Sequence, residues 1–66
     1  MLNQHIAQKI KNLCKEKHIS VSAMLKTCSI NPNFLYEMDK KNKSPRIDKL
    51  AIIAEFLECS IKDFLP

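Results

Sequence analysis

Residues 20–40 read Ser20-Val21-Ser22-Ala23-Met24-Leu25-Lys26-Thr27-Cys28-Ser29-Ile30-Asn31-Pro32-Asn33-Phe34-Leu35-Tyr36-Glu37-Met38-Asp39-Lys40. Val21, Met24, Leu25 and Cys28 recur at spacings of three and four, the signature of one apolar helix face. Ser20 suits the N-cap, because its hydroxyl can accept from an amide of the first turn. The segment Ser29-Ile30-Asn31 interrupts the pattern. Asn31 followed by Pro32 starts a new helix: asparagine caps, and proline suits the first helical position, where no amide donor is needed. The sequence therefore predicts helices over about 21–28 and 32–40, separated by three residues. Two short helices on so tight a turn cross steeply. That is the geometry of a helix-turn-helix, whose second helix fits the major groove of DNA.

Outward from this pair the pattern stays helical. Leu2, Ile6, Ile10, Leu13 and Cys14 form one stripe over about 2–17. Lys40-Lys41-Asn42-Lys43-Ser44-Pro45 is a polar, basic loop within one domain. Ile47, Leu50, Ala51, Ile53, Ala54 and Leu57 mark the most apolar helix, over about 46–58. Ser60 and Asp63 form a capping box, with Asp for the usual Glu or Gln, ahead of a terminal helix over about 60–65. No segment has a strand period. The expected fold is a compact all-α bundle of five helices in a single domain, 1–66, with the helix-turn-helix motif over about 21–40.

Composition narrows the function. A chain of 66 residues is one small domain, and 45% hydrophobic content is too apolar for a disordered segment. There is no glycine, which removes Gly-rich phosphate loops, dinucleotide fingerprints, glycine-flanked serine elbows and EF-hand loops. Cys14, Cys28 and Cys59 are odd in number and widely spaced, so they read as reduced thiols rather than as a disulfide frame or a zinc site. No apolar run reaches transmembrane length and no signal-peptide core is evident, so the expected location is the cytoplasm. The charge of +4 is uneven: residues 1–46 hold nine cations against three anions, while residues 47–66 are net acidic. Such a dipolar field would orient the domain on a polyanion.

Together these residues resemble the Cro/repressor-type helix-turn-helix (XRE) family, the phage-repressor-like DNA-binding domain. The resemblance spans about Ile6 to Leu65. It rests on Ile19-Ser20, on Met24, Cys28, Leu35 and Met38, and on the tail from Ser44-Pro45-Arg46-Ile47-Asp48-Lys49-Leu50 to Ser60-Ile61-Lys62-Asp63-Phe64-Leu65. There are departures. The family commonly has Gln where this chain has Val21, Ala at Leu25, and Gly at Ser29 and near Lys41. Its frequent Arg–Glu bridge falls on Cys14 and Asp39, so that bridge is absent.

The resemblance implies a sequence-specific transcriptional regulator of phage or mobile-element type, a homodimer on a palindromic operator in double-stranded DNA. Asn31 falls where the family often touches DNA, and Arg46 matches a residue that approaches the minor groove. From the residues themselves, Asn33 is the best base reader, because its amide can bond adenine twice, and Pro32 offers no donor. Tyr36 shares the face of Asn33 and could meet a phosphate or a thymine methyl. Glu37 could accept from cytosine, although pairing with Lys41 is the favoured expectation. Lys40, Lys41, Lys43, Ser44 and Arg46 form the expected phosphate-contacting loop. Phe64 and Leu65 are the expected dimer interface. Cys14 and His18 share a helix spacing, but two ligands do not make a metal site, and neither a catalytic group nor a cofactor or small-molecule substrate is expected. The alternative reading is a protein-interaction module of antirepressor or antitoxin-like type. It would show an exposed apolar patch of Val21, Phe34 and Tyr36.

Overall fold

A computed structural model describes residues 2–65. The described chain is all helical: α1 (Leu2–Glu16), α2 (Val21–Thr27), α3 (Phe34–Lys40), α4 (Ile47–Phe56) and a terminal 3-10 helix (Ile61–Phe64). Its extents are 25 × 23 × 21 Å. The fifth element differs from expectation in type. Its bonds run i to i+3, Asp63 N–H to Ser60 C=O and Leu65 N–H to Lys62 C=O. The expected box nevertheless forms: the Ser60 hydroxyl accepts from the Lys62 amide, and the Asp63 carboxylate accepts from the Ser60 amide. With caps at so few residues, no α-helical bond is needed to close the turn.

Ser20 caps α2 through its hydroxyl, which accepts from the Ala23 amide at 3.1 Å. The start of α3 lies two residues later than Pro32 suggested. The Asn31 side chain accepts from the Asn33 amide at 2.7 Å, and the Asn31 carbonyl accepts from Phe34 at 3.0 Å. Residues 31–34 are thus a tight turn with Asn31 acting as its cap, and the first α-type bond is Glu37 N–H to Asn33 C=O.

The core is wholly apolar, with no buried polar residue among those described. Ile6, Ile10, Met24, Leu25, Leu35, Met38, Leu50, Ile53 and Leu57 meet in one cluster, with Cys14 enclosed as a small hydrophobe. Helix α1 lies at the centre, against α2, α3 and the 3-10 helix. Phe64 belongs to this cluster and is 0% exposed. The expectation that Phe64 forms a dimer surface is therefore corrected. The 3-10 turn swings its aromatic ring inward, because burying a phenyl group in so small a core outweighs leaving it for a partner.

Three helices end without glycine in motifs that usually contain it. His18, Ser29 and Glu58 adopt left-handed φ values of 58°, 57° and 57°. After each, the next residue's amide bonds back across six residues: Ile19 to Cys14, Ile30 to Leu25, Cys59 to Ala54. Asn42, with φ 52°, ends α3 in a wider loop. His18, Ser29 and Glu58 are each held because an apolar residue, Ile19, Ile30 or Cys59, follows into or against the core. Asn42 is instead held by the Asn3 side chain, which donates to its carbonyl and its side-chain oxygen.

Candidate nucleic-acid interface

Helix α3 turns Leu35 and Met38 into the core, which leaves Asn33, Tyr36 and Lys40 aligned on its outer face and exposed. Asn33 is the N-cap residue but makes no cap bond with its side chain. Its amide group is therefore open to an external partner, whereas the side-chain oxygen of Asn31 is already engaged. Tyr36 is exposed, while Val21 and Phe34 pack against the core. The apolar patch that an interaction module would display is not formed by those three.

After α3 the chain carries Lys41, Lys43, Ser44 and Arg46, all exposed, around the bend at Asn42. The bend is pinned from two sides. On α3, the Glu37 carbonyl accepts from both the Lys41 and the Lys43 amides, each at 3.1 Å. On α1, the Asn3 amide group donates to the Asn42 carbonyl and side-chain oxygen, both at 3.2 Å, and Gln4 donates to the Asp39 carbonyl at 3.0 Å. No sequence signal connects Asn3 or Gln4 to this loop, since the contacts span 39 and 35 residues.

Glu37 pairs with Lys43 (3.3 Å), not with Lys41 as expected. The reason is geometric. Lys41 caps α3 with its amide bonded to the Glu37 carbonyl, and the chain then doubles back so that Lys43 returns to the Glu37 carboxylate. Arg46 lies 3.3 Å from Asp48 in a highly exposed pair that water screens. Among the described residues, Lys40 and Lys41 have no carboxylate partner, so they present uncompensated positive charge. A concavity of about 180 Å³ runs between α3, this loop and α4, with Phe34 and Glu37 on one side and Lys43, Arg46 and Lys49 on the other. Lys49 was not foreseen. It lies three residues beyond Arg46 at helical spacing, and the acidic balance of the C-terminal third hid it.

Two side-chain ion pairs also organise the site from behind. Besides the Glu37–Lys43 pair, Lys11 on α1 bonds Asp39 on α3 at 3.2 Å. The position of Cys14 holds no cation, yet the α1–α3 bridge exists one helical turn earlier. The cysteines do not contribute chemistry here. Burial pushes the Cys14 thiol up, with the Cys28 thiol adding to it, and burial also raises Cys28 and Cys59. All three remain protonated and weakly nucleophilic near neutral pH. Cys14 is buried whereas His18 is exposed at a left-handed turn, so the two do not share a face. No helix among those described is long and apolar enough to cross a membrane.

A helix with an open amide and hydroxyl on its outer face, followed by a pinned basic loop, can enter a groove and grip the flanking phosphates. No curated protein and no solved structure matches the chain. A family model described as the Cro/C1-type HTH DNA-binding domain matches residues 9–66, which include α2, α3 and the basic loop. The chain belongs to the Cro/C1-type helix-turn-helix family of DNA-binding domains.

Proposed function

We propose that this domain reads a specific sequence in double-stranded DNA and regulates transcription, as a homodimer on a palindromic operator of the phage or mobile-element type. The observation that carries the reading is the pairing of an outward Asn33–Tyr36–Lys40 face with an exposed, pinned loop of Lys41, Lys43, Ser44 and Arg46. Asn33 is assigned the base edge and Tyr36 a phosphate or thymine methyl. Asn31 supports the entry turn. Lys40, Lys41 and Arg46 neutralise phosphates, with Lys49 behind them. Glu37 is assigned to hold Lys43 in place, and the pair removes a bare carboxylate from the approaching backbone. Two copies are needed because one seven-residue α3 offers few base contacts.

The test separates grip from reading. Operators are first selected from a random DNA pool, and binding is then titrated against salt. Lys41→Ala should weaken binding to all sequences alike and lower the log–log salt slope by about 1 per monomer. Asn33→Ala should cost on the order of 1–3 kcal/mol per half-site on the selected operator and much less on random DNA. Lys43→Ala is a less clean probe, because it also uncovers the Glu37 carboxylate. Undetectable DNA binding at low salt would refute the proposal and favour the interaction-module alternative.

A further inference from the structure

Between Met38 and Leu50 no side chain is buried. The basic loop therefore lacks an apolar anchor, and polar bonds hold its shape. Two of them tie it to Glu37, whose carbonyl accepts from the Lys43 amide and whose carboxylate meets the Lys43 ammonium. The rest come from the first turns of α1. Asn3 donates its amide group to both oxygens of Asn42, each at 3.2 Å. Gln4 donates at 3.0 Å to the Asp39 carbonyl, one of the last-turn acceptors that α3 itself leaves open. Lys11, further along α1, bonds the Asp39 carboxylate at 3.2 Å. Asn3 and Gln4 precede the stretch, residues 9–66, that matches the family. The brace they form is a feature of this chain's own N-terminal turns.

We propose that Asn3 and Gln4 are positioning residues for DNA binding, which set the basic loop in its phosphate-gripping shape before DNA arrives. The proposal rests on the DNA-binding reading of that loop, and neither residue is assigned a contact with DNA. Asn42 carries the bend at a left-handed φ of 52°, and the reversal there returns Lys43 to Glu37. Asparagine tolerates this conformation without preferring it. With both Asn42 oxygens engaged by Asn3, the bend is selected. Without Asn3, extended conformers compete and the residues that follow Asn42 disperse. A loop that must order on contact binds more weakly, in proportion to the fraction of time it is competent.

The brace acts on grip and leaves base choice alone. Asn33 stands at the start of α3, whereas Asp39 and Asn42 lie at and beyond its end. The braced bonds are exposed, so each adds little to the stability of the whole domain. Their effect is local, on a segment with nothing else to order it.

The test combines DNA titration with hydrogen exchange, both on the full chain. Asn3→Ala and Gln4→Ala should each lower affinity roughly 3- to 10-fold per half-site, by the same factor on a selected operator and on random DNA. The log–log salt slope should keep its wild-type value, because the seated loop still neutralises the same phosphates. In the free protein the Lys43 amide should exchange faster by a similar factor in both variants. The Leu57 amide, bonded to the Ile53 carbonyl at the end of α4, should keep its wild-type protection. Gln8→Ala removes a side chain bonded to Asn12 on α1 itself and should change none of these readouts. Affinity lost with Lys43 exchange unchanged, or with a reduced salt slope, would mean that the substitutions remove contacts to DNA, and overturns the brace. Faster exchange at Lys43 and Leu57 alike would mean general destabilisation and overturns it too. Variants that bind as tightly as the wild type overturn the brace and leave the DNA reading standing. A wild-type chain that binds no DNA at low salt removes the DNA reading, and with it the role assigned to Asn3 and Gln4.

Discussion

Replacing Ser29 by glycine should stabilise the domain. Ser29 ends α2 with φ 57°, and its neighbour's amide closes the turn by bonding the Leu25 carbonyl at 2.9 Å. A side chain with a Cβ in this left-handed conformation costs roughly 1–2 kcal/mol. Glycine removes that strain but gives the unfolded chain more freedom to lose, worth roughly 0.5–1 kcal/mol in the opposite direction. The net gain is roughly 0.5–1 kcal/mol, which in a domain of this size raises the melting temperature by about 2–8 °C. The serine side chain is exposed, so little packing is lost. Thermal unfolding followed by far-UV circular dichroism supplies the measurement, with two controls. Ser29→Ala keeps the Cβ and should bring no gain. Ser22→Gly, on the exposed side of α2, should lower stability by roughly 0.5 kcal/mol, because helical φ values give glycine no advantage. A Ser29→Gly variant no more stable than Ser29→Ala would refute the left-handed assignment, and with it the account of how this chain turns its helices without glycine.

Two further outcomes are expected beyond the DNA and hydrogen-exchange tests. A double-mutant cycle on Lys11 and Asp39 should give a coupling of about 0.5–1 kcal/mol in chemical denaturation, since the pair is partly shielded between α1 and α3; zero coupling would make the bridge incidental. Stability should also fall at alkaline pH. Burial raises the folded-state ionisation of Cys14, Cys28 and Cys59 above the ordinary thiol value of 9.0, so the unfolded chain loses protons first. The contribution is fully present below the unfolded value and is lost as pH rises through the folded one. Melting temperatures measured from pH 7 to 10.5 should hold steady up to the unfolded thiol value and then decline, more shallowly in Cys14→Ala once its lower baseline is subtracted.

The helices and most of the site were open to reading from the sequence because their determinants are local. Apolar spacing of three and four placed α1 to α4 within one or two residues, and Ser20 and Ser60 announced their caps through side-chain oxygens that act on amides two or three residues away, whereas α3 takes Asn33 as its N-cap and the expected cap, Asn31, closes only the turn before it. The basic loop was equally visible, since clustered lysines need no partner to be recognised. What periodicity could not supply was the direction in which a short element points. Phe64 and Leu65 are adjacent and equally apolar, yet the 3-10 turn sends one into the core and leaves the other exposed. The same limit applies to pairing. Glu37 has lysines at several reachable positions, and only the left-handed bend at Asn42, held by Asn3 from the far end of the chain, brings Lys43 back to it. Lys11 likewise meets Asp39 only because α1 packs along α3. Local propensity therefore determined which segments are helices and where they begin. Tertiary packing decided which side chains are spent in the core, which charges are already neutralised, and which face remains for a partner, because those depend on contacts between residues distant in sequence.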